Sequence, residues 1–565
     1  DMKSLLEAEE ESMQEVREHD VVKATVVAVD DGQAYVNIAG LKADIPISKR
    51  ELASPEPDSA KDVVKVDDEI EVFVVSLGGE NGATVSKVRA DRMVAWKEIE
   101  ALKEDGQTVQ AQITQVVKGG LVASVSGLRG FIPASQMELH FVKDLSIYVG
   151  QTVEALPIEI DIRKQRLVLS RRSLLEEERE RQRYTLSLMP NMNAMSPFAK
   201  YLEGSVLTNS IFDRRDDTPT GGLHLAGIVR QRAMDLFRCD HAIVRLGNIV
   251  AASRVVFQAL LEPGDTVLSF NLRKKDHVAG LSYKFENYGI EPGTQEIDWG
   301  AVRAQAERVK PRLIIFSPVS YPRTIDYQIL FEIAQSVDAY FWVDISQSVG
   351  LVASKLVPSP VPLADVVTFS TRDSLRGPDG AVVLTKAELA SRMDAAVINT
   401  GHEALHMNHL AALGVVLREA GSESYRTYAE QVVRNAQVLA RTLADHGASV
   451  LCGGTDTHLV LASTAAGIDM REAVKTIGRM GIRVKPDSVP TMNSGLFLHA
   501  LRLSTSSPTT RGMAEQDIAY IGSLLAKPLT TILTPEEIEK TRQEIVALVK
   551  DAPIFDDEWM SDSEG

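Results

Sequence analysis

ADVVTFSTRDSLRGPDG, residues 364–380, is the stretch whose reading decides the fold. Asp365–Thr371 is an apolar, β-branched run of strand length, and a turn rich in Gly and Pro follows it. Ala381–Thr385 (AVVLT) then reads as a second strand. Working outward, Leu313–Phe316 and Tyr340–Ile345 are further apolar β runs, separated by a helical pattern over Tyr327–Val337. Upstream, Ile243–Val244 opens a strand-to-helix unit, Ala252–Leu261 reads as a buried helix ended by Glu-Pro-Gly, and Val267–Phe270 is a strand. Strands and helices alternating at this spacing predict a mostly parallel sheet with helices on both faces. Such folds hold ligands beyond the carboxyl ends of their strands, where Asp344 and Asp373 fall. Beyond Glu419 a smaller α/β domain is expected. Tyr425–His446 reads as a long helix stopped at Gly447, Thr457–Ser463 and Ile482–Pro486 as strands, and Thr534–Val549 as a closing amphipathic helix.

The chain has 565 residues, enough for three or four domains. Its composition, 44% apolar and 25% charged, is that of a globular protein. A net charge of −17 argues against coating nucleic acid by charge alone, but leaves room for a local basic face. Two cysteines, Cys239 and Cys452, suggest a reducing compartment without a disulfide framework. There is no apolar run of membrane-spanning length, and the acidic start lacks the apolar core of a signal peptide. A cytoplasmic protein without membrane partners is the expectation.

The first third of the chain is duplicated. GLKADIPIS at Gly40–Ser48 recurs as GLRGFIPAS at Gly127–Ser135, an offset of 87 residues. The first copy opens with Val21–Val29 and Gln33–Ile38, alternating about an Asp-Asp-Gly turn at Asp30–Gly32. Five short strands around each Ile-Pro-x-Ser hinge predict a small closed barrel of the OB type. Arg89–Lys103 between the copies reads as an amphipathic helix, and Ser173–Arg183 after them as a charged, solvated one. Charge separates the copies. Over Asp20–Lys87 seven Lys/Arg face thirteen Asp/Glu, a balance of −6, and over Gly106–Arg172 eight face five, a balance of +3.

Both copies, VVKGGLVASVSGLRGFIPASQM most specifically, resemble the S1-type RNA-binding domain. The resemblance implies a face on which bases stack on aromatics and cations meet phosphates. Phe131, Asp161 and Arg166 match that pattern, with Lys143, Arg163 and Lys164 as the basic side chains around them. The first copy has Asp44 where the second has Phe131, so it is expected to contact protein and the second to hold single-stranded RNA.

From Tyr184 to about Asp551, the 364–380 stretch and VDISQSVGLVA at Val343–Ala353 resemble serine hydroxymethyltransferase, a fold-type I pyridoxal-phosphate (PLP) enzyme. The resemblance implies a body that is dimeric, as that family usually is. It assigns Asp344 to the pyridine nitrogen, His277 to ring stacking and Arg502 to the substrate carboxylate. It also places Asp373 where the family has the imine lysine, Gln347 at a family histidine, and Asn248-Ile249-Val250 where the family's Ser-Gly-Ser meets the phosphate. A carboxylate forms no imine, and Ile and Val bring bulk without donors. Glu403, in the loop 399–405 that the family places at its subunit interface, brings like charge toward a phosphate. Arg502 is then expected to pair with a carboxylate such as Asp373.

The fold expected is two small OB-type barrels followed by an α/β fold-type I PLP-transferase-like domain and a smaller C-terminal α/β domain. The boundaries are an acidic arm over 1–19, barrels over 20–89 and 105–172 with a helix at 90–104 between them, and a connector over 173–183. The large domain spans 184–418, the small domain 419–551 and an acidic tail 552–565. The preferred function is an RNA- or ribosome-binding, translation-associated protein on a homodimeric, catalytically inactive body, with no cofactor and no metal. The alternatives are a divergent PLP enzyme targeted by its barrels, and a metabolite sensor using the degenerate pocket.

Overall fold

The computed structural model describes residues 16–41, 43–78, 83–138, 142, 144–209, 211–212, 221–270, 282–402, 405–492 and 497–554. They form two compact units, 1–181 and 182–565.

In the first unit both copies are β modules. The second is a closed barrel of Val109–Val117, Gly120–Val125, Leu128–Pro133, Thr152–Asp161 and Arg166–Ser170. Closure comes from a parallel ladder that sets Leu167 beside Gly130 and Val168 beside Phe131. Inward side chains Leu121, Ala123, Ile132, Leu167 and Leu169 fill it, and the helix Lys87–Glu104 adds Ala95, Trp96 and Ile99 to that core. Ser86 starts this helix by accepting a hydrogen bond from the Arg89 N–H.

The first copy is a barrel-like sheet, as expected of an S1-type module. Val21–Val29, Gln33–Asn37, Ile45–Ser48, Glu69–Ser76 and Thr84–Ser86 form a five-stranded sheet whose edges, Ile45–Ser48 and Thr84–Ser86, are not joined by a ladder among the described residues. The Asp30–Gly32 turn forms as expected, Asp30 Oδ1 accepting from the N–H groups of Gly32 and Gln33.

The second unit carries a seven-stranded sheet in the order His241–Leu246, Ala381–Thr385, Val366–Ser370, Tyr340–Asp344, Leu313–Phe316, Thr266–Phe270, Lys284–Tyr288. Ala381–Thr385 is antiparallel to both neighbours, and the other ladders are parallel. The strands are apolar on both faces because helices cover both. Val229, Phe237, Ile333 and Leu413 pack on one side, and Val255, Phe257, Met393 and Val397 on the other. The sheet is thus mostly parallel, as the apolar runs predict, and its carboxyl edge is where Asp344 and the 371–380 turn emerge. A smaller antiparallel sheet of Ser449–Val450, Leu459–Ser463, Phe497–Ser504 and Lys485–Pro490 packs against the helices Glu423–Asp445 and Glu515–Thr530.

Candidate functional site

A cavity of about 530 Å³ lies at the carboxyl edge of the seven-stranded sheet. Asp344, the last residue of its strand, pairs in register with Thr368. Its Oδ2 accepts from the Thr368 hydroxyl at 2.9 Å and its Oδ1 from the Ser346 N–H at 3.0 Å. The Thr368 hydroxyl in turn accepts from the Trp342 indole N–H, so the carboxylate is held in one orientation. Burial still pushes the Asp344 carboxyl above its ordinary range, against both donors.

Asp373 sits in the turn after Val366–Ser370, with a left-handed backbone at φ 52°. The turn is braced at its base. Gly377 donates its N–H to the Thr371 carbonyl, which a Cβ at residue 377 would strike. The Thr371 hydroxyl donates to the Pro378 carbonyl, and Tyr425 donates to the Ser374 carbonyl. The Asp373 carboxyl is buried, and burial pushes it up to about 6, with Arg372 and Arg502 pulling the other way. Its Oδ2 accepts weakly from the Gln347 side-chain amide at 3.5 Å, and the Gln347 amide oxygen, buried, has no partner.

Arg502 is 3% exposed and does not pair with Asp373 as expected. Its Nε faces Asp487 Oδ2 at 3.3 Å and its Nη1 donates to the Val319 carbonyl. The register explains this. Lys485 lies opposite Arg502 on the antiparallel ladder, so Asp487 two residues on stands on the same face of the sheet as Arg502. Asp487 also accepts from the Ser320 hydroxyl at 2.6 Å.

Asn248 is the N-cap of the helix Ile249–Leu260, its Oδ1 accepting from the Ala251 N–H at 2.9 Å. The helix start that borders the cavity is therefore capped by its own side chain, with Ile249 lining the wall. His277 and Glu403 lie outside the described residues.

The family model for serine hydroxymethyltransferase matches residues 170–525. A serine hydroxymethyltransferase from Koribacter versatilis is 34% identical over 396 residues, which cover 67% of this chain and 93% of that protein. This chain belongs to the serine hydroxymethyltransferase family. The family model for the S1 RNA-binding domain matches twice, at residues 15–85 and 102–172.

Ahead of the serine hydroxymethyltransferase body, the second S1 barrel brings part of the expected RNA face together. Phe131 points outward from Leu128–Pro133, half-buried, with Val122 and Val168 as its cross-strand neighbours. Its ring lies over Gly120, where a Cβ would collide with it. Gly120 thus leaves room for the aromatic. Arg163, Lys164 and Arg166 are exposed on the turn and the start of the last strand. Asp161 Oδ1 accepts from the Lys164 N–H and shapes that turn, while Arg166 pairs with Glu159 at 3.4 Å. Lys143 lies outside the described residues.

Sequence reasoning missed several residues. Asp379, Asp487 and Arg372 line the cavity, and nothing in their local sequence announces it. The cap role of Asn248 was readable, as an Asn before an apolar helical run. Arg129 is exposed two residues from Phe131 on the same strand face, and in the first copy Phe73 stacks on His19 at 5.8 Å. Neither Cys239 nor Cys452 forms a disulfide, and burial pushes both thiols up to about 11. Among the described residues no helix is long and apolar enough to cross a membrane.

Proposed function

We propose that this protein binds RNA through its S1 domains in a cytoplasmic, translation-associated role, and that its serine hydroxymethyltransferase body is a catalytically inactive homodimeric scaffold. The observation that carries the proposal is Asp373. A buried carboxylate occupies the turn at the position the family resemblance gives to the imine lysine. PLP, when bound, supplies an electron sink and needs an imine lysine and a phosphate cradle. The residues present do not fit it. Asn248 caps the helix start itself, Ile249 lines the wall, and Asp373 puts a carboxylate at the position of the imine lysine. Among the described residues, Asp344 alone suits the group, as a partner for the ring nitrogen.

Dimerisation is supported by an exposed apolar patch. Phe198 and Tyr201, stacked at 6.5 Å, and Val206 are 58%, 62% and 81% exposed. They belong to a segment packed on the helix Met407–Ala420, which follows the loop the family uses at its interface. RNA contact through the second barrel is supported by the outward Phe131 and the exposed Arg163, Lys164 and Arg166. Two copies joined in a dimer present two such barrels and raise avidity for a long RNA.

The test is direct. The full chain purified from its own cells is expected to be colourless, without glycine-dependent aldol cleavage, and to bring RNA or ribosomal particles with it. A second reading, a divergent PLP enzyme, is favoured by the held orientation of Asp344 and the 34% identity to a named serine hydroxymethyltransferase. Near-visible cofactor absorption that dialysis against cysteine removes would select that reading.

A further inference from the structure

We infer that residues 555–565 dock on the outer face of the second S1 barrel around Phe131 and compete there with RNA. The inference rests on the reading that this face binds RNA, and it adds a regulator of that site. The face is basic and aromatic. The parallel ladder sets Val168 beside Phe131, so two residues earlier Arg166 and Arg129 fall on the same outer face. Glu159 and Asp161 stand opposite Val168 and Arg166 on the neighbouring strand. Both are already engaged, Glu159 by Arg166 and Asp161 by Lys164, each at 3.4 Å. Arg129 and Arg163 are exposed and, among the described residues, form no ion pair.

The sequence of 555–565, FDDEWMSDSEG, carries what such a face takes up. Five carboxylates, Asp556, Asp557, Glu558, Asp562 and Glu564, come without a Lys or Arg, and Phe555 and Trp559 add two flat rings. Negative charge beside a stackable ring is also what single-stranded RNA presents. The arm over residues 1–15 has six Asp/Glu against one Lys, the same balance of −5, but no Phe, Tyr or Trp, so it offers only half of that match.

The fold supplies a tether. Arg511, 6% exposed, donates through Nη1 to the Ala552 carbonyl at 3.0 Å and through Nη2 to the Gln182 carbonyl at 2.5 Å. One guanidinium therefore holds the start of the tail beside the helix Arg171–Tyr184, which follows the last strand of the barrel. From Gln182 back to Arg171 the helix runs about 17 Å, and the strand from Ser170 to Arg166 about 13 Å. Residues 553–565 extend up to about 45 Å, so the tail reaches the face whatever the direction of the helix. A tethered ligand meets its site at a high effective concentration, which makes a weak contact sufficient.

Fluorescence anisotropy of the full chain with a labelled single-stranded RNA, at several salt concentrations, tests this. Asp556→Asn, Asp557→Asn and Glu558→Gln together should tighten RNA binding about three- to tenfold at low salt, the factor expected if the tail covers roughly 70–90% of the barrels. The gain should shrink as salt rises. Trp559→Ala, which changes no charge, should tighten binding as well. Glu9→Gln, Glu10→Gln and Glu11→Gln together remove the same charge from the arm and should change the affinity little. RNA affinity left unchanged by either tail variant, or raised as much by the arm variant, overturns the inference and leaves the proposed function standing. Failure of the natural and tail-neutralised chains alike to bind RNA overturns both.

Discussion

Replacing Asp373 by Asn tests whether this turn carries a buried charge that the fold resists. Burial raises the Asp373 carboxyl from an ordinary 3.8 to about 6, despite the pull of Arg372 and Arg502. The folded state therefore holds its proton more tightly than the unfolded chain. The stability associated with that proton is fully present below about pH 4 and is lost as pH rises through about 6. A shift of about two units is worth about 3 kcal/mol at about pH 7.5, and roughly half of that remains at about pH 5. Asn has the same shape, accepts the same weak bond from Gln347 and does not ionise. Asp373→Asn should then be more stable than the natural protein by about 3 kcal/mol near pH 7.5, with the gap closing as pH falls toward 4. Urea unfolding of the full chain at several pH values, following the transition of the large unit, measures this. A variant no more stable than the natural chain at pH 7.5, or a gap independent of pH, would refute the reasoning. It would mean that Arg372 and Arg502 compensate the carboxylate fully.

Three further outcomes are expected. Asp373→Lys should not create tight PLP binding, because Asn248 still caps the helix start and Ile249 still walls it; titration by cofactor absorbance checks this. Phe131→Ala should weaken binding of single-stranded RNA by about 1–3 kcal/mol, and Arg166→Ala should flatten its salt dependence. Fluorescence anisotropy at several salt concentrations reads both, and unchanged affinity in Phe131→Ala would remove the base-stacking role. Phe198→Glu should shift the protein from dimer to monomer in light scattering at micromolar concentration, since it places charge in the exposed Phe198–Tyr201 stack.

Much of the architecture was legible in the sequence because it is written in local patterns. The internal repeat, the Asp30–Gly32 turn, and the alternation of apolar strands with helices around 364–380 depend on periodicity and turn chemistry within a few residues. They place Asp344 and Asp373 at strand ends without any knowledge of packing. What the local pattern could not convey is which distant side chains meet. Arg502 pairs with Asp487 rather than Asp373 because the register of Lys485–Pro490 against Phe497–Ser504 puts both on one face of the small sheet. Arg372 lies beside Asp379 at 3.7 Å and Arg502 beside Asp487 at 3.3 Å, so among the described residues neither forms an ion pair with Asp373. Such pairings are set by strand register and by the path of the turn, which the pattern of residue types does not specify, so they belong to the tertiary structure.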